Sequence, residues 1–303
     1  MTVCIAAICQ FNNQPLIIGA SDRMVSTPLI GAEPPKWKLQ VLTDQIVISF
    51  AGVTTRQAGV LRDTVDAANL KAPLTVKDAA DLYAQQFLSH RRIRAEREYL
   101  SPIGLNGLTF LNMNLSPELT ARLINEMREC ELEAEAIITG IDATGTHIYT
   151  VADPGIVSCV DLDGYAAIGV GALHAESEFM FRGYTGDWSY ARALFLVYSA
   201  KKRAETAPEV GKHTDLFYIY PGLPPGSISE EMAKQVDSIY ERTQDNREAD
   251  HKQALAEMDK YAEEAFPKEN SAEETKPPEG DGAHEKAISE GAEESQREDG
   301  KEA

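Results

Sequence analysis

Thr2-Val3-Cys4-Ile5-Ala6-Ala7-Ile8 is an apolar run whose first residue carries a hydroxyl, and Leu16-Ile17-Ile18-Gly19-Ala20-Ser21-Asp22-Arg23 is a second that ends on a charged pair. Short apolar runs rich in β-branched side chains read as strands covered on at least one face. Phe11-Asn12-Asn13-Gln14-Pro15 between them reads as a long hairpin tip, where extra residues are tolerated. Lys38 stands 16 residues beyond Asp22 and heads a third strand, Leu39 to Leu42. Gly52 stands 14 residues beyond Lys38, at the close of a fourth strand, Gln45 to Phe50. A hydroxyl, a carboxylate and an amine therefore each occupy the end of an oily strand, where a fold could gather them. Removal of Met1 leaves Thr2 with a nucleophile and a free α-amine on one residue.

This arrangement resembles the β-type proteasome subunits and their bacterial relatives, a branch of the N-terminal-nucleophile hydrolases. The likeness lies in Thr2, in Ala20-Ser21-Asp22, in Lys38 before an apolar strand and in Ala51-Gly52, with the intervals from Asp to Lys to Gly kept. It implies an α+β chain folded as a four-layer αββα sandwich. It also implies a threonine-type peptidase whose subunits stack into a homo-oligomeric ring, fed with peptide or unfolded protein, in some relatives by an ATP-dependent unfoldase.

Amide hydrolysis needs a nucleophile, a base and donors for the developing oxyanion. An N-terminal threonine supplies the first two, because an α-amine has a reference pKa of about 7.7–8.0 and is partly neutral at physiological pH. By the resemblance, Lys38 eases the loss of the Thr2 hydroxyl proton, Asp22 orients Lys38, and the Gly52 N–H receives the oxyanion. Phe50 and the loop at Val25-Ser26-Thr27 are expected to border the substrate groove. No cofactor is implied. Active relatives also place a serine in a Gly-Ser-Gly turn and an Asp-x-x-Ser-Gly group after a later helix. Here those stretches read Gly169-Val170-Gly171 and Ala207-Pro208-Glu209-Val210-Gly211, with Glu205 and Glu209 as the acids that could reach the site instead. Two further functions stay open: an inactive scaffold subunit of the same fold, and an amidase acting on small amides.

The remaining chain fits a layered body. Thr54 or Thr55 is a candidate cap for a helix through about Leu70 with Val60, Val65 and Leu70 on one side, and Thr75 with Asp78 opens a second that runs to His90-Arg91-Arg92-Ile93-Arg94. Those arginines, with Arg97, form a basic stripe. Glu98 to Glu131 reads as an insertion: a loop over Ser101 to Asn114, then a helix begun by Ser116-Pro117-Glu118. Glu135 to Ile168 alternates four short strands with Asp/Gly turns, an antiparallel meander. Helices over Gly171 to Tyr184 and Tyr190 to Thr206, a strand from His213 to Tyr220, and a long charged helix follow. The expected division is a hydrolase domain over 1–228, the charged helix over 229–267 and an acidic tail over 268–303.

Charge and composition remove several classes. The formal net charge is −19, which disfavours phosphate-mediated nucleic-acid binding. The tail carries twelve Asp/Glu against five Lys/Arg and one large aliphatic, Ile288, too little apolar surface to offset its ordering entropy, so it reads as disordered. Cys4, Cys9, Cys130 and Cys159 lack CxxC spacing, and the histidines lack HxxxH pairing, so neither a disulfide framework nor a metal site is expected. Ile168-Gly169-Val170-Gly171 has His174 where a dinucleotide loop needs its third glycine. No apolar run reaches membrane length and no basic leader precedes Thr2, so no membrane is expected and a cytoplasmic location is.

Overall fold

The apolar runs at the start of the chain become strands covered on both faces. In the computed structural model, which describes residues 2–26, 31–35, 37–71 and 73–265, β1 (Cys4–Phe11) and β2 (Gln14–Ser21) pair antiparallel, Cys4 opposite Ser21 and Phe11 opposite Gln14. Alternation along β1 sends Ile5, Ala7 and Cys9 into one buried cluster and Cys4, Ala6 and Ile8 into another. The turn is Asn12-Asn13 alone, both at positive φ (52° and 60°), the backbone of a two-residue primed turn. The expected long tip is thus corrected: pairing continues through Phe11, Gln14 and Pro15. Pro15 is accommodated because the strand on the far side of β2 begins pairing only at Ile17.

A two-residue ribbon, β3 (Val25–Ser26) with β4 (Gly31–Ala32), precedes β5 (Leu39–Thr43) and β6 (Ile46–Gly52). Helix α1 (Thr54–Asn69) starts from Val53, which makes no side-chain cap bond, so neither Thr54 nor Thr55 caps it. Its buried residues are Gln57, Val60, Leu61, Thr64 and Ala68, so Val60 lies on the buried face as expected, whereas Val65 is only half-buried and Leu70 is exposed. Helix α2 (Val76–Ala95) has the expected Thr75/Asp78 capping box, with both reciprocal bonds made.

The insertion is more ordered than its composition suggested. After a π turn over Glu96–Leu100 and a 3₁₀ turn over Ser101–Ile103 come α3 (Gly107–Asn112), capped reciprocally by Asn106 and Thr109, and α4 (Pro117–Glu129). The asparagine is a cap, not a loop marker. Arg91 donates to the Cys130 carbonyl at 2.7 Å and to the Arg128 carbonyl at 2.5 Å, satisfying the C-terminal end of α4. The basic stripe is therefore partly spent inside the chain.

Next come β7 (Ala134–Asp142), β8 (Gly145–Ala152), β9 (Ile156–Cys159), β10 (Tyr165–Ile168), α5 (Ala172–Phe181), α6 (Tyr190–Ala204), β11 (Asp215–Ile219), β12 (Gly226–Ser227) and α7 (Glu230–Ala265). The strands form two antiparallel sheets, ordered β10-β1-β2-β11-β12 and β5-β6-β7-β8-β9. Three buried clusters relate them to the helices. One joins β1, β2 and β11 with α5 and α6, a second joins β6, β7 and β8 with α1 and α2, and a third is built by both sheets, among others Cys4, Ile17, Val47, Ile137 and Phe217. The first includes stacked Tyr165 and Phe179 at 4.4 Å, and Tyr184 edge-on to Trp188 at 5.3 Å with the Arg192 guanidinium 3.3 Å over that indole.

By internal contacts the chain divides into Met1–Arg247 and Glu248–Ala303. Within the first unit α7 is anchored by Val236, with Ala233 and Tyr240 packed beside it, and Tyr198 donates to Asp237. Among the described residues no helix is long and apolar enough to cross a membrane. Thr27 and the acidic segment 268–303 lie outside the described residues.

Candidate active site

The ends of two inner strands of the first sheet and the start of β5, an edge strand of the second, bring three of the sequence-selected side chains into mutual contact. Thr2 precedes β1, Asp22 follows β2, and Lys38 precedes β5; all three are buried. The Lys38 ammonium donates to Thr2 Oγ1, to Asp22 Oδ1 at 2.9 Å and to the Met24 carbonyl at 2.5 Å. Thr2 Oγ1 also bonds Asp22 Oδ1. One carboxylate oxygen therefore meets both the hydroxyl and the cation.

Backbone donors hold that carboxylate. Val3 N–H reaches Asp22 Oδ1 at 3.1 Å, while Met24 N–H and Gly211 N–H reach Oδ2 at 3.1 and 2.9 Å. Three N–H donors offset the desolvation of a buried anion, and Lys38 supplies the counter-charge. The neighbouring Arg23 forks onto Asp215 at 2.8 and 2.5 Å, fixing the end of β2 against β11.

Gly52 ends β6 at φ 101°, and a Cβ there would lie 2.1 Å from the Glu133 carbonyl oxygen, so no other residue fits. Phe50 gives its N–H to the Lys38 carbonyl at 3.2 Å, which ties β6 to the residue that carries the ammonium. The Phe50 side chain packs with Ile46 and Ile48 against the cluster under α1 and α2. Val25 and Ser26 start the β3 ribbon directly after Met24, whose carbonyl holds Lys38. The exposed Trp37 adjoins Lys38 in sequence.

The positions expected to carry supporting hydroxyls do different work. Gly169 has φ 89°, and a Cβ there would lie 2.2 Å from the Thr2 carbonyl oxygen; Gly171 N–H approaches that oxygen at 3.4 Å. The turn thus supports the start of β1 through its backbone. Ala207 and Val210 are buried in the apolar cluster with α6. Glu205, expected as an acid that could enter the site, instead accepts from Lys201 at 2.6 Å.

Two polar residues near the site were not singled out in the sequence. Glu135 shares the sheet-facing side of β7 with Ile137, and its Oε2 accepts the Gly169 N–H at 2.7 Å. It lines a cavity of about 540 Å³ with Thr150, Tyr165, Gly169, Leu173 and Glu176. Burial, reinforced by Asp163, raises the Glu176 carboxyl above the usual range. Gln57 is buried in α1 and donates to the Ala51 and Glu135 carbonyls at 3.1 and 2.8 Å while accepting from Tyr83 at 2.6 Å. An acid set among the apolar residues that open β7 was the available signal for Glu135; nothing local marked Gln57. Burial pushes the Cys4 thiol up to about 12 despite the opposing pull of Lys38, so this cysteine beside the site stays protonated and unreactive at neutral pH.

No model of a known protein family matches the chain, and no curated protein matches it.

Proposed function

We propose that the chain is an N-terminal-nucleophile hydrolase of the threonine-peptidase type, folded as a four-layer αββα sandwich. The single observation that carries this reading is the shared contact of Lys38 Nζ and Asp22 Oδ1 with the hydroxyl of Thr2. Two sheets covered on their outer faces by helix pairs support the architecture.

The reading requires cleavage of the Met1–Thr2 bond. Thr2 Oγ1 then attacks the substrate carbonyl carbon while its proton passes to the freed α-amine. Lys38 stabilises the developing charge on Oγ1, and the Gly52 N–H receives the carbonyl oxygen. Collapse of the tetrahedral adduct expels the amine product, which takes the proton back from the α-ammonium. Water activated by the same amine hydrolyses the Thr2 ester. Substrates are peptides or unfolded proteins, and the assembly is a homo-oligomeric ring, fed where needed by an ATP-dependent unfoldase.

Intact mass measurement tests this directly. Loss of Met1 and a covalent adduct on Thr2 with an electrophilic peptide are expected, and Thr2→Ala should lower turnover of fluorogenic peptides by about a thousandfold or more while the chain still folds, at a stability cost of about 1 kcal/mol for the lost hydroxyl. Turnover by that variant at the wild-type rate rules the assignment out. A second reading, an inactive scaffold of the same fold, is favoured by one observation: Val170, Ala207 and Val210 bring no hydroxyl or carboxyl to the site. Retained Met1 with no adduct is its signature.

A further inference from the structure

Lys201 lies in the last turn of α6 with no solvent exposure, and its ammonium has three acceptors. They are Glu205 Oε1 at 2.6 Å, the Gly211 carbonyl at 2.8 Å and the Lys212 carbonyl at 2.9 Å. Gly211 is also the residue whose N–H reaches Asp22 Oδ2 at 2.9 Å. A single residue thus connects a second buried lysine to the carboxylate that holds Lys38.

Sterics around that residue leave little slack. A Cβ on Gly211 would lie 2.0 Å from Glu33 Oε1 and 3.1 Å from Met24 Cβ. Glu33 Oε1 in turn accepts the His213 N–H at 3.1 Å. The chain from 207 to 213 is therefore pinned from two sides while its own side chains at Ala207 and Val210 are apolar and buried. Burial lowers the Lys201 ammonium below the ordinary lysine range, with the Glu205 bond pulling the other way. A buried charge of that kind is retained against a desolvation penalty, and packing alone would be served as well by a methionine.

We infer that Lys201, with Glu205, is a positioning residue for the candidate active site: it clamps the Gly211 and Lys212 carbonyls so that the Gly211 N–H is delivered to Asp22. In this chain a lysine clamp acting through the backbone occupies the supporting role for which Ala207 and Val210 have no polar atom. Its catalytic consequence rests on Thr2 being the nucleophile; its geometric consequence does not.

The test uses Lys201→Met and the charge-neutral double variant Lys201→Met/Glu205→Leu, the latter removing the buried cation together with its half-buried partner so that folding is retained. Amide hydrogen exchange at Gly211 is the activity-independent readout. It should accelerate by about tenfold or more in either folded variant, relative to amides in β1. The rate of Thr2 labelling by an electrophilic peptide and kcat should fall by about the same factor, with KM changed less than about twofold, because Lys201 touches no substrate. Wild-type protection of Gly211 in the folded double variant overturns the positioning role. Slow exchange at Gly211 lost together with an unlabelled wild-type protein upholds the clamp and sinks the hydrolase reading instead. Faster exchange with wild-type labelling and kcat removes the clamp from catalysis.

Discussion

Lys38 and Asp22 differ in what their loss leaves behind. Removing the ammonium leaves Asp22 with backbone donors from Val3, Met24 and Gly211, so Lys38→Met should cost about 1–3 kcal/mol. Removing the carboxylate orphans those three N–H groups and strands Lys38, and Asp22→Ala should cost about 3–5 kcal/mol. Urea midpoints should rank the two variants in that order; the reverse order contradicts the assigned bonding. Thr2, Asp22 and Lys38 were legible in the sequence because each is a polar residue at the end of an apolar strand. Lys201 was not, because it opens a Lys201-Lys202-Arg203 run that reads as a solvated helix end. Glu135 was passed over for a related reason: its partner is a backbone N–H 34 residues away, and no spacing rule points to it.

Elements were legible where their ends carry their own chemistry. Thr75/Asp78 announces α2, and Ser116-Pro117 announces α4. Val53 announces nothing, and α1 is started by the strand that precedes it. Asn106 was misread because asparagine favours both loops and caps, and only the reciprocal bond with Thr109 decides. Arg91 ties α2 to the end of α4 by two charge-assisted bonds. Arg91→Met should therefore cost about 1–3 kcal/mol, and proteolysis should then accelerate within 101–129 before any other described segment. A second tie joins α2 to the sheet: Asp142 accepts the Val76 N–H at 2.9 Å and the Thr144 N–H at 2.8 Å. Burial alone would raise this carboxyl, but the bonds from Thr144 and Val76 outweigh it and hold it below the usual range. Its stabilisation is complete above the unfolded aspartate pKa of about 3.9 and disappears as pH falls through the lowered folded value. The urea midpoint of Asp142→Asn should trail wild type at pH 7, and the gap should close in acid.

At the scale of the molecule, local pattern gave the order of strands and helices but not the membership of the sheets. β11 returns to lie beside β2, placing Asp215 opposite Ser21 and within reach of Arg23, a pairing across 192 residues that no periodicity encodes. The same non-local closure brings Gly211 to Asp22. The formal charge of −19 constrains how copies of the chain could approach one another in the proposed ring, since like-charged surfaces repel until salt screens them over about 10 Å at 0.1 M. The two indoles differ in burial: Trp188 is 9 % exposed and Trp37 40 %. The molecule thus carries a paired optical gauge. Emission from Trp37, one residue from Lys38, should be red-shifted, open to acrylamide quenching and altered when an electrophilic peptide labels Thr2, while emission from Trp188 should stay blue and shielded until the fold itself melts.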